Sequence, residues 1–206
     1  MKKLRLFGVV SLVILLSSCI SSFSKVERPS TPFARPEYSV LTPSGDGWEY
    51  SSNDSPNRYK LAFFKAMQDP KFHSIAAGVI ETPNSAEFEN PQEFEKWMER
   101  TIETAMNPNQ QRLLDKQVAL DKASRFGSFT VKFYTKSEDH RAENAGEEPC
   151  PILVEYGYIF VHPSIPNRIV QVAYSERGRP DEIRPDVAQE AERFFNGIQI
   201  KALAGQ

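Results

Sequence analysis

Several short segments in which apolar residues alternate with polar or small ones constrain the fold of this chain more than any other feature. Alternation at a period of two is the pattern of a β-strand with one buried face, whereas an amphipathic helix repeats every three to four residues. Turn-forming residues separate these segments, as an antiparallel meander requires. The segments predicted as strands are 48–50, 59–64, 74–81, 117–121, 129–134, 152–162 and 168–174.

Two other segments predict helices. Asn90 can serve as the N-cap of the first, Pro91 suits the first helical position, and Glu93 completes a pair that resembles a capping box. From there to residue 106, apolar residues recur at three- and four-residue spacing and charged residues cover the opposite face. The second helix is expected between residues 185 and 197, where a glycine is well placed to end it.

The order of strands, helix, further strands and helix predicts an α+β domain. Its antiparallel sheet would have about six to seven strands, with two main helices packed on it. This order resembles the fold shared by the PsbP proteins of photosystem II and bacterial lipoproteins of the DcrB type. The resemblance lies in the early meander, the central helix, the hairpin around His162 and Pro163, the strand end at 174–177 and the Phe-Phe-Asn-Gly run at 194–197. It implies a PsbP-like fold over about residues 47–200, and an accessory role, since PsbP-like proteins mostly look like accessory subunits.

The first 18 residues are predicted to be a targeting segment that takes no part in the fold. Basic residues at positions 2, 3 and 5 precede an apolar stretch over 6–16, which is too short to span a bilayer. The Leu-Ser-Ser-Cys run at 16–19 resembles the lipobox of bacterial lipoproteins, whose Cys is lipidated and then becomes the first residue of the mature chain. The resemblance implies that Cys19 carries acyl chains such as palmitate. A plain secretory signal with a chance Cys and an uncleaved signal anchor are the alternatives.

Composition suggests how the rest of the chain is organised. Residues 19–46 are rich in Ser and Pro without a sustained apolar period, so they predict a lipidated Cys followed by a flexible tether. The single α+β domain is expected over 47–201, followed by a tail at 202–206. Without residues 1–18 the chain has 22 basic and 27 acidic residues, and this negative balance gives no reason to expect nucleic acid as a partner.

The motifs that accompany most catalytic and cofactor sites are missing from the sequence. It contains no phosphate-binding glycine loop, no dinucleotide fingerprint, no HExxH or CxxC pair and no nucleophile elbow. The three histidines, at 73, 140 and 162, lie on separate elements, so a metal site would need His73 and His162 to meet in space. No catalytic residue, metal or cofactor is therefore predicted. Cys150 remains, with three possible roles: buried and inert, reactive (with one of the histidines as its base), or paired between chains.

Two regions are candidates for binding a partner. Residues 136–149 form a long polar segment, which in a compact domain is either functional or merely mobile. The other region is a group of residues at and near the last long strand, since Tyr and Arg are enriched where proteins contact one another. Core packing is the alternative role for tyrosines there. The candidate interaction residues are Arg168, Arg177, Tyr174 and His162.

These observations predict a non-enzymatic lipoprotein of the bacterial envelope that binds or scaffolds another envelope protein. The lipid on Cys19 would anchor it, and Ile20 in place of Asp favours the outer membrane, facing either the periplasm or the surface. The alternative is a carrier of a small apolar ligand, held between sheet and helix. It is suggested by the 14 Phe and two Trp, more than a thin core needs.

Overall fold

The structure is a computed structural model that describes residues 23–35, 37–55, 58–67, 73–140 and 149–201. Two helices and eleven strands lie within these ranges. In chain order they are β1 (Ser24–Lys25), β2 (Phe33–Ala34), β3 (Tyr38–Val40), β4 (Glu49–Ser55), β5 (Arg58–Ala66), β6 (Ser74–Pro83), α1 (Pro91–Ala105), β7 (Gln111–Leu120), β8 (Thr130–Asp139), β9 (Ile152–Val161), β10 (Arg168–Gly178), α2 (Val187–Asn196) and β11 (Ile198–Ile200).

The domain is α+β, and strands dominate it. Within the described residues, eight strands form one antiparallel sheet in the order β1-β4-β5-β6-β10-β9-β8-β7, and three more form a small sheet in the order β11-β3-β2. The sequence predicted six to seven strands in one sheet. The additional strands are short ones whose pairing depends on distant partners, such as Ser24 opposite Tyr50 and Ile198 opposite Val40.

The two faces of the main sheet carry separate apolar clusters. On one face, Phe194 and Phe195 of α2 pack with alternate residues of the central strands, such as Phe63 and Val172. On the other face, Phe94 and Met98 of α1 pack with the strand residues that alternate with these. The side chains of Phe63, Phe94, Phe194 and Phe195 are all buried. Strand β10 has both faces covered in this way, and ten of its eleven residues are buried.

Two glycines permit close packing in the middle of the sheet. A Cβ at Gly157 would lie 2.4 Å from the Val172 carbonyl oxygen and 2.5 Å from the Phe133 ring. A Cβ at Gly78 would lie 2.4 Å from the Leu61 carbonyl oxygen. Side chains at these positions would force neighbouring strands apart, because interiors have no spare volume to accommodate them.

The predicted start of the first helix is confirmed. Asn90 Oδ1 accepts from the Glu93 backbone N–H at 2.9 Å, and the Glu93 carboxylate accepts from the Glu89 N–H at 2.9 Å. The closing helix also lies within its predicted range. The Gly197 N–H caps it, and a Cβ there would come within 3.0 Å of Leu41 Cβ.

The prediction of a flexible tether over 19–46 is wrong for its later part. Tyr38 and Val40 lie in the core with exposures of 1% and 0%, and β3 pairs with both β2 and β11. Tyr38-Ser39-Val40 is too short to show a sustained period, and its partner at Ile198 is far along the chain. The long polar segment is also shorter than predicted, because β8 continues to Asp139. Residues 141–148, most of that predicted loop, lie outside the described residues.

Candidate functional site

The four candidate interaction residues do not form one exposed patch. Tyr174, Arg177 and His162 have exposures of 1%, 8% and 3%, and Arg168 is half-buried. Arg168 and Arg177 stand nine residues apart on β10, about 30 Å at the rise of a strand. Arginine and tyrosine at the ends of a central strand are buried here because partners elsewhere in the chain satisfy their polar atoms. Cys19 lies outside the described residues.

Two of the four belong to separate buried ionic clusters at one end of the sheet. The fully buried Glu176 carboxylate lies 2.9 Å from His73 Nε2 and 2.8 Å from Arg184 Nε, and Arg184 Nη2 donates to the Tyr174 hydroxyl at 3.2 Å. Nearby, Arg177 Nε donates to Asp139 Oδ2 at 2.6 Å in a second buried pair. Both clusters pair opposite charges inside the protein, an arrangement that fixes the fold and exposes little to a partner.

The other two lie in a polar cluster at the opposite end of the sheet. Arg168 Nε is 3.5 Å from Glu81 Oε1, and Glu81 pairs in register with Tyr59. The Arg35 guanidinium lies 4.2 Å from the centre of the Tyr59 ring, which in turn is 5.1 Å from the ring of Tyr38. Burial raises the pKa of Tyr59 to about 12 and raises that of Tyr38 further, so both hydroxyls stay neutral.

His162 in this cluster is held as a neutral ring. Its Nδ1 accepts from the backbone N–H groups of Ser164 and Ile165 at 3.1 and 3.0 Å, which places the proton on Nε2. Burial lowers the pKa of His162. Among the described residues, His162 Nε2, Glu37 Oε2 and the Tyr38 hydroxyl have no hydrogen-bonding partner. His73 and His162 are at opposite ends of the sheet, so no site unites them.

A groove beside β7, which the sequence did not indicate, is a candidate binding surface. The β7 groove has a volume of about 1020 Å³ and lies between the sheet and α2. Its walls are residues 115–119 of β7, residues 132–134 of β8, Tyr156 of β9, Ala188, Gln189 and Glu192 of α2, and Glu99 of α1.

An aromatic floor and a charged rim characterise the β7 groove. The half-buried rings of Tyr134 and Tyr156 are 5.0 Å apart, and burial raises the pKa of both hydroxyls. At the α2 side of the rim, Lys132 Nζ lies 2.5 Å from Glu192 Oε1. The groove therefore offers apolar area with hydrogen-bonding and charged groups around it, the composition expected of a binding surface.

Strand β7 forms the outer edge of the groove and of the sheet. The Leu120 N–H points away from β8 and donates to Glu95 Oε1 of α1 at 2.9 Å, and Lys116 reaches Glu103 at 2.6 Å. Charged side chains thus cover part of this edge, which limits pairing with another strand. A bulge between Leu113 and Asp115 further interrupts it.

The sequence predicted only part of β7 as a strand, over 117–121. Residues 112–115 are exposed on both faces and therefore lack the alternation by which the buried strands were identified, whereas residues 116–120 alternate between half-buried and exposed. The groove also depends on α2, which meets β8 and β9 only in the folded chain. No local signal could have predicted it.

The comparisons give no relative from which a role could be inferred: no family model and no curated protein matches the chain. In the part of the chain that the structure describes, no helix is long and apolar enough to cross a membrane. Within the same ranges, no group of three or more His, Cys, Asp or Glu side chains converges as a metal site.

Proposed function

We propose that this chain is a bacterial envelope lipoprotein, anchored by acyl chains on Cys19, whose PsbP-like domain serves as a non-enzymatic binding module. The run at 16–19, which resembles a lipobox, supports the anchor, and Ile20 supports an outer-membrane location. The order of elements supports kinship with the PsbP and DcrB proteins. In this chain the two helices pack on opposite faces of the sheet. Anchoring through acyl chains needs no spanning helix, because each buried methylene contributes about 0.8 kcal/mol.

The β7 groove is the proposed binding surface, and its occupant is a segment of another envelope protein. The single observation that carries this proposal is the Tyr134–Tyr156 floor beneath a rim of mixed charge. At about 1020 Å³ the groove lies at the upper end of the size range of ligand pockets, and it runs along an exposed strand. A polypeptide segment can lie along such a surface, placing an apolar side chain on the tyrosines and polar groups at the rim.

Site-specific photo-crosslinking in cells tests this assignment. We expect a crosslinkable residue at Gln117 or Gln189, both exposed in the groove, to capture one dominant envelope protein. The same residue at Ser52, exposed on β4, should not capture it. Ala119→Arg should fill the groove and abolish the product, while the matched change Ala66→Arg, at an exposed position at the end of β5, should leave it intact. Capture of the same protein from Ser52 would contradict the assignment.

A small apolar ligand is the second candidate for the groove, and the adjacent tyrosine rings favour it. Most of the Phe and both Trp side chains pack in the two core clusters or against them, so the aromatic content no longer argues for a carrier. Native mass spectrometry of the purified protein separates the candidates. A bound small molecule that is lost in Ala119→Arg, without a captured protein, would make this chain a carrier.

A further inference from the structure

Cys150 belongs to a cluster of chemically active side chains remote from the β7 groove floor. Its Sγ lies 3.7 Å from His140 Nδ1, and His140 Nε2 lies 2.8 Å from Glu138 Oε2. Arg112 Nη2 donates to the other oxygen of the same carboxylate at 2.5 Å. Strand pairing creates this cluster, because Glu138 stands opposite Ile152 and so brings residues 140 and 150 together.

The hydrogen bonds fix which nitrogen of His140 can accept a proton. Nε2 faces a carboxylate and therefore carries the hydrogen, which leaves the lone pair of Nδ1 facing the thiol. The thiol also lies 3.2 Å from the Asp139 carbonyl oxygen. That carbonyl can accept a hydrogen bond but cannot take up the proton, whereas the imidazole nitrogen 3.7 Å from the sulfur can.

A cation and a carboxylate both lie close to the sulfur. The hydrogen bond from Arg112, followed by that from His140, holds the pKa of Glu138 below its usual value, so the carboxylate is ionised. The pKa of Arg112 is raised chiefly by Glu138 and also by Cys150, which places the cation within electrostatic range of the sulfur. Thiolates form where a cation or an imidazolium lies beside the sulfur.

Space for a reacting molecule adjoins the imidazole. A second groove of about 600 Å³ is lined by His140 and Arg112 together with the apolar side chains of Met106, Pro108 and Leu113. Cys150 itself is half-buried, so its sulfur is neither sealed in the core nor fully exposed.

We propose that Cys150 is a reactive thiol that undergoes exchange with the disulfides of small thiols. His140 Nδ1 takes the thiol proton, and Glu138 is a positioning residue for the imidazole. The thiolate attacks one sulfur of the disulfide, so that one S–S bond breaks as another forms between Cys150 and that sulfur. The other sulfur leaves as a thiolate and receives the proton from His140, so no electrons are gained or lost overall.

The test measures the rate at which Cys150 reacts with dithiobis(nitrobenzoate) as a function of pH. The full chain carrying Cys19→Ser has Cys150 as its one thiol. Near pH 7 we expect the native chain to react roughly three- to tenfold faster than the same chain in urea, since a larger thiolate fraction outweighs lower nucleophilicity. His140→Gln should remove this advantage and move the midpoint of the pH–rate profile upward, and Glu138→Gln should do so less. Glu190→Gln, the same change in the Arg193 ion pair of α2, should leave the profile unchanged.

Oxidised glutathione provides a second readout, by intact mass. A mixed disulfide should form on the native chain and be absent from Cys150→Ser. Circular dichroism identifies any variant that fails to fold. If His140→Gln does not fold, the pH–rate profile of Glu138→Gln decides the test. Native reaction no faster than in urea at every pH, or an unchanged profile in a folded His140→Gln, would overturn the proposal.

Discussion

Substitution of Tyr by Phe should change the free energy of unfolding in opposite directions at two buried tyrosines. Tyr38 and Tyr174 are both 1% exposed, so each loses a hydroxyl from the interior when changed to Phe. The Tyr174 hydroxyl accepts from Arg184 Nη2 at 3.2 Å, whereas that of Tyr38 has no hydrogen-bonding partner among the described residues. A buried polar group left unpaired costs about 1–3 kcal/mol, while a hydrogen bond to a charged group stabilises by about 1.5–3 kcal/mol.

We therefore expect Tyr38→Phe to raise the free energy of unfolding by about 1 kcal/mol and Tyr174→Phe to lower it by about 1–2 kcal/mol. Arg184 is half-buried, so water can replace part of the lost contact and reduce the second value. Urea unfolding of the full chain measures both, with the midpoint shifting at a constant slope. The two values should differ by about 2–3 kcal/mol.

Loss of stability in Tyr38→Phe comparable to that in Tyr174→Phe would refute the reasoning. It would mean that the Tyr38 hydroxyl is satisfied in the native protein by a buried water, which holds polar groups nearly as well as a direct bond. Tyr38→Ala serves as the reference for packing. It should cost about 3–5 kcal/mol in either case, because it empties a core position.

Three further changes have defined outcomes. Burial lowers the pKa of His162 below its ordinary 6.5, so the stability that its neutral ring contributes is present above about pH 6.5 and is lost as the pH falls toward the lowered pKa. Urea unfolding measured against pH should show this loss of stability, and His162→Asn should remove the pH dependence. Gly157→Ala should lower the free energy of unfolding by about 1–3 kcal/mol or more, because the new Cβ would meet the Val172 carbonyl oxygen. A Gly157→Ala chain as stable as wild type would contradict this, since it would mean that the strands can separate at this position. Cys19→Ala should abolish acyl labelling and leave an unprocessed precursor, and normal labelling of that variant would remove the case for the anchor.

The β7 groove and the Cys150 cluster lie at different places in the fold, so their tests are independent. Substitutions at Ala119 or Gln189 act on binding and leave the surroundings of the thiol unchanged. His140→Gln and Glu138→Gln act on the thiol and leave the Tyr134–Tyr156 floor intact. A chain that captures a partner without a fast thiol would keep the proposed function and lose only the further inference.

The sequence by itself determined the class of fold and most of the long elements. A buried strand or helix face must present apolar side chains at the period of its own backbone, so β6, β9, β10 and α1 could be predicted from local spacing. The start of α1 was equally local, because the cap at Asn90 lies within three residues of the N–H that it satisfies. The proposal of a targeting segment rests on the sequence alone.

The tertiary structure alone decided which polar residues are exposed and which residues meet. Arg177 and Tyr174 have the residue types of a contact surface, but Asp139 binds Arg177 from 38 residues away and Arg184 binds the Tyr174 hydroxyl from the segment before α2. Val40 joined the core through pairing with Ile198, at the far end of the domain. The register and the long-range pairing of the strands result from the burial of the whole sheet. The sequence around a residue therefore does not indicate which distant residue will pair with it.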